Sequence, residues 1–150
     1  NRRNQRIMRY QFVVPGEPGS KGRPRFSNRG KYVSVHTPPK TVEYENLVRL
    51  SFMEQCGTPS MLEGSLEVKI FAYFSPPKKV SKVKLNKMLA NEIQPQKKPD
   101  SDNIAKVVLD SLNKVAFEDD KQVSDLHVFK RYAQKPCVMV VINEIESKEE

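Results

Sequence analysis

The chain has 150 residues, enough for one domain with a sizeable core. Its net charge of +8 and pI near 9.5 favour an acidic partner and say nothing of the fold. Cys56 and Cys137 lie too far apart in sequence for a zinc spacing and form no disulfide framework, His36 and His127 are equally isolated, and no apolar run reaches the length of a membrane span. Two buried free thiols and no secretory leader pattern fit a reducing, cytoplasmic setting.

The opening residues 1–9 are polar and expected to fray, with Met8 a candidate natural start. A strand is predicted over Tyr10–Val14, stopped by Pro15. Residues 15–31 read as a Gly, Pro and basic loop carrying Lys21, Arg23, Arg25, Arg29 and Lys31. Its glycines match neither the dinucleotide fingerprint nor the phosphate loop. Residues 31–35 alternate as a short strand. Thr37, as cap, and Pro38-Pro39 open a helix whose core stripe is predicted as Val42, Leu47, Leu50, Phe52 and Met53. Residues 65–74 alternate, with Leu66, Val68, Ile70, Ala72 and Phe74 on one face.

Pro76-Pro77 ends that strand and opens an insertion over about 76–98, with a lysine-rich helix near 80–92. Residues 102–115 are the clearest helix: Ile104, Val107, Val108, Leu112 and Val115 form an apolar stripe, with Asp102, Lys106, Asp110 and Asn113 opposite. Phe117 and the acids at 118–120 form a turn. Two strands follow, 123–132 and 138–145, joined as a hairpin through residues 133–136, before a loose tail at 146–150. The expectation is one α/β domain over 10–145, with a mixed sheet of about five strands, two main helices packed on it and the helical insertion.

Charge is segregated along this order. Residues 1–40 carry ten Lys or Arg and one acid, and residues 78–98 carry seven Lys and one acid. Residues 100–125 hold seven acids against three lysines. Basic flanks suit a polyanion, whose counterions Lys and Arg displace. An acidic centre repels that polyanion unless a divalent cation lies between them. A Mg²⁺-dependent enzyme acting on nucleic acid resolves the conflict.

Asp100 and Asp102, two apart where the chain enters a helix, can converge on one point, and Mg²⁺ keeps waters, so two or three carboxylates suffice. Asp119 and Asp120 lie beyond a helix of roughly 18 Å and reach the first pair only if the chain folds back. The same residues are also ordinary chemistry: Asp before a helix caps it for about 1 kcal/mol, and Asp-Asp is common in turns. Lys106 is either an i, i+4 partner of Asp102 or a cation for the scissile phosphate. A calcium loop is excluded, because Ala105 and Ser111 stand where Gly and Glu are required. Ser101 has no histidine near it in sequence and lies in no nucleophile motif.

Residues 98–106 (KPDSDNIAK), 110–113 (DSLN) and 117–123 (FEDDKQV) together resemble the RusA family of Holliday junction resolvases, and Lys21–Phe26 (KGRPRF) is similar to its phage-type branch. The resemblance spans about residues 10–145. It implies an α/β homodimer, bacterial or phage-encoded, that binds four-way DNA junctions and nicks two opposing strands symmetrically with Mg²⁺, or Mn²⁺ as substitute, leaving 5′-phosphates. By position it makes Asp100, Asp102 and Asp120 the metal ligands and Lys106 the essential lysine, with Asp119 a supporting acid. DNA binding is expected from Lys21, Arg23, Arg25, Arg29, Lys97 and Lys98, with no small-molecule cofactor and no membrane. Two rivals stand beside this reading: a nuclease for other branched DNA, and a non-enzymatic basic module binding DNA through the loop with Phe26 and Tyr32.

Overall fold

The computed structural model describes residues 7–22, 25–29, 32–57 and 60–146, with the backbone alone for 25–29 and 32–34. The elements in chain order are β1 (Arg9–Pro15), β2 (Arg25–Arg29), β3 (Tyr32–His36), α1 (Pro39–Cys56), β4 (Leu66–Phe74), α2 (Lys82–Leu89), α3 (Ser101–Leu112), a 3₁₀ turn (Asp120–Gln122), β5 (Val123–Tyr132) and β6 (Cys137–Glu144). The fold is α/β, as expected. The expected sheet of about five strands resolves into a four-stranded mixed sheet, ordered β1-β6-β4-β5, and a separate β2–β3 hairpin. Among the described residues no helix is long and apolar enough to cross a membrane.

Strand alternation sets the core. In β4, Leu66, Val68, Ile70, Ala72 and Phe74 are all buried, beside Phe12 and Val14 of β1 and Val138, Val140 and Ile142 of β6. From α3, Ile104, Val107, Val108 and Leu112 close over them with essentially no exposure. Each such side chain stabilises the fold by about 1.5–3 kcal/mol through burial. The α3 stripe from Ile104 to Leu112 is where the sequence placed it, but the helix ends at Leu112, so Val115, expected in the stripe, lies beyond it and is half-buried.

The helix α1 departs from its expectation. Its buried residues are Thr41, Val48, Ser51 and Phe52, whereas Val42, Leu50 and Met53 are exposed by 41%, 58% and 41%. Apolar residues are scattered around this helix, so periodicity selects no face. Edge-to-face contacts of Phe52 with Tyr10 and Phe12 select it instead. The cap position is Pro38 rather than Thr37.

The last two strands form no hairpin. β4 lies between them, parallel to β5 and antiparallel to β6. The chain leaves β5, passes the end of β4, where Ala133 N–H donates to the Phe74 carbonyl (3.0 Å), and returns on its far side. A turn-forming sequence in 133–136 fits this crossing as well as a hairpin, and the apolar β6 belongs in the sheet centre, buried by two neighbours. Met8, before β1, already joins the sheet edge, where its carbonyl accepts the Glu144 N–H (3.0 Å). The expected loose ends at 1–6 and 147–150 lie outside the described residues.

Candidate active site

Asp100 is the N-cap residue of α3, with extended backbone (φ −70°, ψ 155°), yet its carboxylate makes no capping hydrogen bond. Its carbonyl accepts the Ile104 N–H (3.0 Å), so the backbone performs the local helix start. Asp102, in the first turn, faces solvent. Among the described residues neither carboxylate has a hydrogen-bond or ion-pair partner. Capping therefore does not account for Asp100. The positive end of the α3 dipole favours both charges.

Cations surround this end of the helix. Lys106 stands exposed one turn on, and Lys97 and Lys98 are exposed just before it. From the end of β5, Lys130 donates to the Lys97 carbonyl, and both ammonium groups lie over the Phe74 ring, at 5.2 and 5.6 Å. The place is thus the end of the sheet where β4 and β5 finish and α3 begins.

The second acidic pair is built differently. Phe117 is fully buried and anchors the turn. Asp119 caps the 3₁₀ turn, accepting from Lys121 N–H (2.8 Å). Sequence reading quoted Gln122 within the motif but gave it no role, and it is the residue that holds this turn: its Oε1 accepts from Glu118 and Asp119 N–H (3.0 and 3.1 Å), and its Nε2 donates to the Leu62 and Gly64 carbonyls (3.3 and 3.1 Å). Its spacing from Asp119, a capping box, was the available signal.

Burial, followed by the neighbouring carboxylates of Asp119 and Asp110, pushes the Asp120 carboxyl above its usual range. The Lys121 N–H holds Asp119 below its usual range. A carboxyl raised by folding favours the native state in acid, and that advantage is lost as pH rises through its folded pKa. Asp120→Asn is therefore expected to raise Tm at neutral pH, with the gain fading as pH falls into the carboxylate range. Thermal melts across pH check this, and an unchanged neutral Tm would count against the crowding.

One chain does not bring all the expected ligands together. The carboxylates whose charge bears on Asp120 are those of Asp119 and Asp110. Asp102 and Asp110 are eight residues apart, ~12 Å of helical rise. β5 does run back alongside α3, but the acids precede it and stay at its beginning. Among the described residues no three Asp, Glu, His or Cys side chains are grouped closely enough to hold a metal ion. Asp100 and Asp102 thus stand together at the start of α3, and Asp120 stands in the 3₁₀ turn before β5.

The basic loop is also partly engaged. Lys21 Nζ pairs with Asp110 (3.3 Å) and Glu45 (3.4 Å), and its backbone N–H donates to the Asn103 carbonyl (3.4 Å). Lys21 thereby clips the loop to α1 and α3. The loop can lie this close because residue 19 is glycine: a Cβ there would stand 2.4 Å from the Tyr44 ring. Arg23 lies outside the described residues, and Arg25 and Arg29 stand on β2.

An α/β domain with a solvent-facing carboxylate pair at a helix start, collared by lysines, has the parts of a phosphodiester-cleaving protein. The family profile of endodeoxyribonuclease RusA matches residues 15–143, and the chain belongs to that family. It is also 37% identical over 139 residues to the uncharacterized protein YqaN of Bacillus subtilis (strain 168), an alignment covering 91% of this chain and 97% of that protein.

Proposed function

We propose that the protein is a Mg²⁺-dependent endodeoxyribonuclease that resolves four-way DNA junctions by paired nicking, in recombination and repair of bacterial or phage DNA. The observation that carries this reading is the Asp100 carboxylate: it occupies a cap position, makes no cap bond, and faces solvent beside Asp102 among Lys97, Lys98, Lys106 and Lys130. Family membership supplies the reaction class.

The donor set fits a hard cation. Two carboxylates without protein partners suit Mg²⁺, which is held by one or two carboxylates with waters and substrate phosphate oxygens. When bound, the ion supplies Lewis-acid polarisation and a more acidic water. Asp100 and Asp102 would hold it, and Mn²⁺ would substitute. Lys106 stabilises charge growing on the scissile phosphate, and Lys97 and Lys98 hold the strand by its backbone. In-line attack of water breaks the bond to the 3′ oxygen and leaves a 5′-phosphate and a 3′-hydroxyl. Cleavage of a synthetic mobile junction, with and without Mg²⁺, by the wild type and Asp102→Asn tests the reading. Equal cutting by the variant, or none by the wild type, overturns it.

A homodimer is part of the proposal, because a C₂ pair presents two sites to a two-fold junction. The sheet face turned away from α1 and α3 suits the contact. Val13, Met139, Phe71 and Phe129 form one cross-strand row there, with the two rings stacked at 4.9 Å. Sedimentation at micromolar concentration is expected to give twice 17.2 kDa, and Met139→Lys to give the monomer. A monomeric wild type would refute the pairing.

A further inference from the structure

The insertion between β4 and α3 has no place in the chemistry above, and its charge is out of keeping with its structure. It leaves the sheet after Phe74 and returns at Asp100, so both of its ends lie beside the carboxylate pair. It is well anchored: Met88 is 4% exposed, Pro95 is buried, Leu85, Leu89 and Ile93 are half-buried, and α2 lies against β5. Ser81 caps α2 through the Lys84 N–H (3.2 Å), and Glu92 N–H closes the other end on the Lys87 carbonyl (2.8 Å).

On this fixed frame Lys78, Lys79, Lys82, Lys84 and Lys87 are all exposed. Among the described residues none has a carboxylate partner, and Glu92 is the only acid between Lys78 and Lys98. The first turn of α2 carries lysines and no acid. That opposes the helix dipole, which favours acids there, and Lys84 and Lys87 repel one another across i, i+3. Helix stability would select acids in that first turn, although Lys87 in the last turn suits the dipole. Packing keeps Leu85, Met88 and Leu89 inward, which turns Lys87 outward with Lys82 and Lys84 on its flanks.

Resting on the nucleic-acid reading above, we infer that the α2 insertion is an arm that grips the phosphate backbone of a duplex branch outside the cleaved strand. Lysines are point charges without the fork that reads base edges, so the arm positions DNA irrespective of sequence. It extends the cationic surface of Lys97, Lys98 and Lys130 away from the carboxylates.

The test is DNA binding without Mg²⁺, so that cleavage plays no part. Lys82→Gln, Lys84→Gln and Lys87→Gln are combined, and the dependence of affinity on salt is measured for a four-way junction, a linear duplex and a single strand. Each lost phosphate contact flattens the log–log salt slope by about 0.9 on duplex DNA. A slope shallower by about 2 to 3, with affinity for junction and duplex reduced by roughly tenfold or more at low salt, is the expected result. Unchanged slope and affinity overturn the arm, as does a loss confined to the single strand. Circular dichroism and Tm confirm that the variant folds, and Lys84→Glu with Lys87→Glu should deepen the loss. A wild type that binds through these lysines but cuts no junction would refute the nuclease reading and leave the arm standing.

Discussion

Asp100→Asn is expected to reduce Mg²⁺-dependent junction cleavage by about a thousandfold or more, equivalent to at least ~4 kcal/mol of transition-state stabilisation, while the fold is unchanged. Asn caps a helix about as well as Asp, and here the side chain makes no cap bond, so the change in stability should stay within about 0.5 kcal/mol. Binding of the junction without metal should hold or tighten, because a negative charge is removed from beside the phosphates. Single-turnover cleavage, a thermal melt and a mobility-shift titration on one preparation separate these effects. Near-normal cutting would dismiss Asp100 as a ligand. A large loss of Tm would show that the carboxylate charge itself supports the fold.

Phe117→Ala is the substitution expected to cost most in stability. Phe117 is fully buried, its carbonyl accepts the Lys114 N–H (2.7 Å), and its backbone bridges both Leu62 and Asn113. Truncating a buried Phe costs about 3–5 kcal/mol through lost burial and the cavity left behind. For a chain of this size that lowers Tm by about 10 °C or more. The turn holding Asp119 and Asp120 hangs on this ring and on Gln122, so those carboxyls should also lose their separate titration behaviour. Denaturant unfolding gives the first quantity and NMR titration of the two carboxyls the second. A loss below about 1 kcal/mol would mean the site collapses around the gap.

The reading of α3 shows what sequence pattern carries well. Its stripe from Ile104 to Leu112 has one face only, so the 3.6-residue period identifies helix, face and depth together. The β4 alternation is equally direct, because a period of two allows one side of the sheet to be core. In α1 apolar residues lie all round, and the buried face became known only from the rings of Tyr10 and Phe12 that meet Phe52. The tract 133–136 looks like a hairpin locally, and no local property records that β4 lies between the strands it joins.

The candidate site divides along the same line. Residue type and spacing drew attention to Asp100, Asp102, Lys106, Asp119 and Asp120, the resemblance to the RusA family grouped them as one motif, and the proposed cation between them and a polyanion rests on the order of charges along the chain. Those are properties of charge and order, which a sequence carries in full. The tertiary structure decided which carboxylates share a place. It set Asp100 and Asp102 at the finish of β4 and β5, placed Asp120 in the 3₁₀ turn that opens β5, and tied Lys21 to Glu45 and Asp110. The reason is geometric: a rigid helix holds its ends apart by its rise per residue, and proximity across it is settled by packing partners distant in the chain.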